Sequence, residues 1–165
     1  MKKQLLFLFF ALLALCASAA PNDVFSVGDI TYSVTLDSYS GKPGIVAVKS
    51  LSAQGKAKTS LKLDIPGVVS YNGYKYKVGV INYDAFKGQS NISVVQIRYN
   101  ITRIAQSAFE NCTSLTTVYL PSSLTNVEYH AFWGCNALKS VYYANPTPTS
   151  NSVITNAFPD NTNMT

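Results

Sequence analysis

Histidine is nearly missing from this sequence, with His130 the only one in 165 residues. Cysteine is scarce too, with three, and Cys16 falls inside an apolar leader. Without a histidine pair, Cys112 and Cys135 fall short of the four ligands of a structural zinc. There is no glycine-rich phosphate loop and no calcium loop of alternating acids. Charge is thin as well, at 13% of residues. No second long apolar run comes after the leader, so no spanning helix of about 20 residues can be drawn beyond it. These gaps argue against metal, phosphate and nucleic-acid chemistry, and no cofactor is expected.

The leader reads as a signal peptide over residues 1–19. Lys2 and Lys3 precede the apolar run Leu5 to Leu15, and Ala17-Ser18-Ala19 supplies the small-x-small cleavage pattern, with the cut before Ala20. Leu13-Ala14-Leu15-Cys16 is a lipobox-like alternative that would leave a lipid anchor on Cys16. That motif wants a small residue before the cysteine, and Leu15 is large, so secretion is the preferred reading. The remaining chain carries eleven basic and eight acidic side chains, too weak an excess to argue for nucleic acid. The excess sits before residue 78, where seven lysines face four aspartates; beyond it the two signs balance. The lesser functional reading of that lysine-bearing part is an acidic ligand.

Residues 20–80 read as β-rich. Val24 to Leu36 holds two strands around Gly28-Asp29, with Ile30, Tyr32, Val34 and Leu36 alternating. Ser38 to Gly44 is a turn, Ile45 to Val48 a strand, and Ser50 to Ser60 an exposed polar loop. Leu61 to Ile65 alternates again and stops at Pro66. Asn72-Gly73, between alternating residues, is a hairpin signal because both residues tolerate positive φ. No helical period is visible. The role expected of this segment is to cover the apolar edge of the C-terminal half.

That half, residues 81–165, is a repeat. Ile81-Asn82-Tyr83-Asp84-Ala85-Phe86 recurs at Ile104 and again at Val127, 23 residues apart each time, and after 26 more at Val153. Columns emerge from this alignment: Ala85, Ala108, Ala131, Ala157; Phe86, Phe109, Phe132, Phe158; Ile92, Leu115, Leu138, Met164; Val95, Val118, Val141; Ile97, Leu120, Tyr143. A period in the twenties predicts stacked coils that bury each column as a continuous row. Alanine fits a crowded corner, and the phenylalanine fills the coil centre. Cys112 and Cys135 share a column with Gln89 and Asn161, and read as buried reduced thiols in preference to a disulfide. The last copy has its Ala157-Phe158 corner but, on this alignment, no strand after it. That reading implies about three and a half coils with an open edge that frays after about Asn151, and either a truncated parent protein or pairing of that edge with a partner.

Ile104-x-x-x-Ala108-Phe109-x-x-Cys112-x-x-Leu115-x-x-Val118-x-Leu120-Pro121, continued by Leu124, Val127 and Ala131-Phe132-x-Gly134-Cys135, resembles the BspA-like leucine-rich repeats. Ile65-Pro66 and Tyr71 to Val78 resemble the lead-in before the first repeat of that family. The first copy departs from the pattern with Gln89, and the last with Pro159-Asp160-Asn161. The resemblance implies a β-rich, right-handed leucine-rich-repeat solenoid: a parallel strand ladder with short helical turns and an N-terminal β cap. It also implies a secreted or surface-exposed protein whose recurrent theme is adhesion.

Each strand of such a ladder turns one residue outward between two buried ones: Gln96, Tyr119 and Tyr142. Thr117 and Ser140 flank them, with Arg98 and Tyr99 after the first strand. Tyrosine and arginine are common anchors of interfaces, so this strip is the candidate surface for a protein or glycan partner. The bland alternative is that Tyr and Thr stand there because they suit strands, the chain being a scaffold or spacer. Catalysis finds little support. His130 shares its column with Asp84, Ser107 and Asn156, as an exposed variable loop position would, and no carboxylates are paired at useful spacing. Trp133, in the column of Lys87 and Glu110, is expected at the surface.

Overall fold

A computed structural model describes residues 22–36, 43–144 and 157–158, together with the backbone of 163–164. The leader with Cys16, most of the turn from Ser38, and the copy-four residues Val153 to Asn156 and Asn161 lie outside the described residues. In chain order the strands are β1 (Val24–Val27), β2 (Ile30–Leu36), β3 (Gly44–Leu51), β4 (Leu61–Ile65), β5 (Val68–Tyr71) and β6 (Tyr74–Ile81). They continue as β7 (Ile92–Ile97), β8 (Arg103–Ile104), β9 (Thr117–Leu120), β10 (Asn126–Val127), β11 (Ser140–Tyr143) and β12 (Asn163–Met164).

The repeat period appears directly as strand register. β7, β9 and β11 pair in parallel, with Val95 opposite Val118 and Val118 opposite Val141. β6, β8 and β10 form a second parallel row, with Ile81 opposite Ile104 and Ile104 opposite Val127. Residues one period apart thus lie side by side, so one identity at a column position serves every copy. Both rows begin earlier than the Ala-Phe repeat does. β3 pairs in parallel with β6, and β4 with β7, so the chain already passes once between the two sheets before the repeat starts. β1 and β2 are added to β3 as an antiparallel pair of neighbours.

The corners carry a third set of hydrogen bonds along the stack. The N–H groups of Asp84, Phe86 and Gly88 donate to the carbonyls of Gln106, Ala108 and Glu110, at 3.4, 2.7 and 2.7 Å. Phe109 and Asn111 donate in turn to Ala131 and Trp133. Such alternation outside a strand needs left-handed residues, and Asp84, Ser107 and His130 take φ of 54°, 58° and 60°. Gly88, Asn111 and Gly134 form a second left-handed column. Asp, Asn, His and Gly tolerate this region better than most residues, which accounts for much of the chemistry of these two columns. Ser107 itself is buried. The corners are therefore hydrogen-bonded turns, Ala85 to Asn82 and Gln89 to Phe86 among them, rather than the short helical turns expected.

In the core the phenylalanines stack. Phe86, Phe109, Phe132 and Phe158 have centroid separations of 5.0, 4.9 and 4.6 Å in succession. Spacings close to that of neighbouring strands arise because each ring is carried by a backbone with the same repeat. Burying each ring is worth roughly 1.5–3 kcal/mol. Cys112 and Cys135 are free and buried. Their thiols donate to the carbonyls of Phe86 and Phe109, each at 3.1 Å, so each ties its corner to the coil before it. The adjacent Cys135 thiol, and then burial, push the Cys112 thiol far above its ordinary pKa range, as inert interior thiols require.

The N-terminal strands fall where alternation places them, and the Asn72-Gly73 turn has φ of 49° and 79°. Two further expectations need correction. Ser50 to Ser60 is not all loop: β3 runs to Leu51, and Ala53–Ala57 forms a short helix, α1, whose N-cap Ser52 accepts a hydrogen bond from the Gly55 N–H. Five residues are too few to show a helical period. The second correction concerns the last copy, where β12 pairs with β11 and sets Met164 opposite Val141 rather than in the Leu138 column. Nine residues separate Phe132 from Val141 but only six separate Phe158 from Met164, so a shorter connection brings the strand forward. The fourth corner thus leads into a strand.

Candidate binding face

The outward rows of the β4-β7-β9-β11 sheet are set by its register. Asp64 faces Gln96, Gln96 faces Tyr119, and Tyr119 faces Tyr142. A second row runs Lys62, Val94, Thr117, Ser140. Between them Leu63, Val95, Val118 and Val141 point inward and are buried, as strand alternation demands.

Tyr119 and Tyr142 stack nearly parallel, with centroids 5.0 Å apart at 12°. They remain 37% and 43% exposed, so the pair is held in place without being hidden. Tyr143 is half-buried, and its hydroxyl donates to the Leu124 carbonyl at 2.9 Å. At the other end of the strip, Arg98 grips Asp64 with two hydrogen bonds, Nε to Oδ1 at 2.8 Å and Nη2 to Oδ2 at 3.0 Å. The Asp64 carboxylate raises the Arg98 pKa, first through those bonds and then by its charge. Tyr99 is 65% exposed just beyond. Its backbone lies so close to Gly67 that any Cβ there would run into the Tyr99 carbonyl.

The face therefore grades from a charged end at Lys62, Asp64 and Arg98 to an aromatic end at Tyr119 and Tyr142. It brings Gln96, Thr117, Tyr119, Ser140 and Tyr142 onto one sheet surface, with Arg98 and Tyr99 at its margin. Among the described residues, no group of three or more His, Cys, Asp or Glu could hold a metal ion. No helix among them is long and apolar enough to cross a membrane.

A family model for the BspA type leucine-rich repeat region, six copies long, matches residues 75–165. The chain belongs to the BspA-type leucine-rich-repeat family. Solved leucine-rich-repeat proteins resemble it in three dimensions. One from Bacteroides ovatus ATCC 8483 is 31% identical with a TM-score of 0.59, over 72% of this chain and 31% of that one. One from Bacteroides capillosus ATCC 29799 is 27% identical with a TM-score of 0.62, over 86% of this chain and 98% of that one. A leucine rich cell surface protein from Faecalibacterium prausnitzii A2-165, 23% identical with a TM-score of 0.56, covers 75% of this chain and 32% of its own, and shares the fold. The chain thus spans about a third of the first of these relatives. No curated protein matches it.

Two members of the face escape column alignment, Lys62 and Asp64. They precede the Ala-Phe copies, so the repeat cannot reach them. The available signal is the alternation of Leu61, Leu63 and Ile65, which turns Lys62 and Asp64 outward together.

Proposed function

We propose that this chain is an exported, surface-acting and non-catalytic binding protein. Its two parallel rows form a right-handed leucine-rich-repeat solenoid over residues 81–165, and residues 20–80 serve as its N-terminal cap. A protein or glycan partner, of the adhesion type, binds the strand face through Gln96, Arg98, Tyr99, Thr117, Tyr119, Ser140 and Tyr142, with Asp64 orienting Arg98. The observation that carries this reading is the Tyr119-Tyr142 stack, exposed yet fixed on paired strands. Side chains already ordered lose little further freedom on binding, and tyrosines supply much area per rotatable bond. The leader over residues 1–19 supports export.

Replacing both Tyr119 and Tyr142 with alanine tests the reading against immobilised mucosal and extracellular-matrix proteins and glycans. At least a tenfold loss of affinity is expected. Binding that survives the double replacement would remove the strand face from the account, and a native chain that captures nothing would mark it as a spacer. Export at the assigned site predicts that the secreted product begins at Ala20, which N-terminal sequencing reads directly.

A further inference from the structure

A second aromatic surface lies away from the strand face, on the corner of the third coil. Tyr129, His130 and Trp133 form a continuous ring stack: Tyr129 to His130 is 3.6 Å at 21°, and His130 to Trp133 is 4.8 Å at 23°. The left-handed φ of His130 accompanies this placement of its imidazole between a ring one residue before and another three residues after. The backbone beneath is tied along the stack: the Tyr129 carbonyl accepts from Ser107 at 3.4 Å, and the Trp133 carbonyl accepts from Asn111 at 2.7 Å. Tyr129 and Trp133 nonetheless stay 55% and 49% exposed. Three rings that stack on one another while facing water are an ordered platform with little freedom left to lose.

The surroundings indicate what such a platform takes. Gln106, exposed, occupies the Tyr129 column one coil earlier, and Glu110 occupies the Trp133 column. Lys87 is held by Glu110 at 3.2 Å and lies 3.7 Å from Asp84, so the neighbourhood has no free cationic excess. Flat aromatic surface beside planar amide and carboxylate groups matches the two chemistries of a sugar ring. The C–H face of a pyranose covers an aromatic ring, and its hydroxyls can donate to the Glu carboxylate and the Gln carbonyl and accept from the Gln amide NH2. An anionic glycan would find three carboxylates, Asp84, Glu110 and Glu128, against two paired cations, Lys87 and Arg103, so a neutral sugar fits better. A protein partner would need roughly 800 Å² of surface, far beyond one corner.

We propose that the Tyr129-His130-Trp133 corner is a binding site for a neutral pyranose chain, independent of the strand face. Trp133 is the only tryptophan in the chain, so its fluorescence reports this corner alone. The full chain is titrated with chitohexaose, cellohexaose and maltohexaose. A saturable change in Trp133 emission is expected with at least one of them. Tyr129→Ala should weaken that binding at least tenfold, Tyr129→Phe should retain it, and Tyr142→Ala should leave it unchanged. No saturable change with any of the three sugars overturns the proposal. So does binding unaffected by Tyr129→Ala, or an equal loss in Tyr142→Ala. Because Tyr129 is exposed, its variants are expected to fold, and an unchanged circular-dichroism spectrum checks this.

Discussion

The two halves of this molecule bury aromatic rings in different ways. In the N-terminal strands Phe25 touches three tyrosines at unlike geometries: stacked on Tyr71 at 4.1 Å, tilted against Tyr32 at 5.8 Å and against Tyr76 at 5.6 Å. In the repeat each phenylalanine meets the next by one translation, at 4.6 to 5.0 Å. The first arrangement is a set of unique contacts around an antiparallel hairpin; the second is one contact copied. Antiparallel strands joined by tight turns allow any shape that alternation permits. A parallel stack instead admits only residues that fit against copies of themselves, hence the plain Ala, Phe and Val columns.

Removing a ring from the middle of the stack should test this most severely. Phe109→Ala leaves a cavity between Phe86 and Phe132, and a loss of about 3–5 kcal/mol is expected by chemical denaturation. Phe158→Ala, at the last copy, should cost clearly less, because Phe158 stacks on one described ring and Phe109 on two. Equal losses would mean that the rings act singly and that the stack has no cooperative character. In the N-terminal half the corresponding weak point is a turn. Asn72→Ala forces a Cβ-bearing residue without a polar side chain into a φ of 49°, and about 1 kcal/mol of stability should go. If it costs nothing, the hairpin is less dependent on its turn than the contrast supposes.

The smallest effect should come from charge on the corners. The Ser107 hydroxyl, and then Lys87, hold the Glu110 carboxyl below the usual glutamate range. A carboxylate lowered in the folded state stabilises above its unfolded pKa, and that contribution fades as pH falls through the lowered folded value. Glu110→Gln should therefore cost a little stability at neutral pH and nothing once the carboxyl is protonated, which flattens the acid side of the stability profile slightly. Thermal melts between pH 2 and 7, on the order of the carboxylate range, would show it. An unchanged acid limb would mean that the corner ion pairs are solvated and idle.

Much of the fold is legible in the residues. Alternation locates the N-terminal strands, Asn72-Gly73 marks the hairpin, and the Ala-Phe spacing aligns Val95, Val118 and Val141. The outward row of Gln96, Tyr119 and Tyr142 comes with them, because alternation along a strand and translation between strands are both local rules. The five-residue helix α1 is too short to leave a period. Column alignment misplaces Met164 because counting from the corner assumes equal connections, whereas hydrogen bonding counts from the strand. His130 reads as an exposed variable loop position in the sequence, yet its column is one of left-handed turns.

By itself the sequence determined the period, the identity of the interior columns and the outward row of the strand face. All three depend only on which residues lie one repeat or two positions apart, information a linear string contains. Tertiary structure alone decided that β3 and β4 extend both parallel rows and so bring Asp64 beside Arg98, 34 residues away. It alone placed the thiols of Cys112 and Cys135 on the carbonyls of Phe86 and Phe109, and Tyr129, His130 and Trp133 in one stack. Those juxtapositions depend on how the corners join the two parallel rows, and the corners are held by backbone hydrogen bonds between successive copies that no column of side chains records.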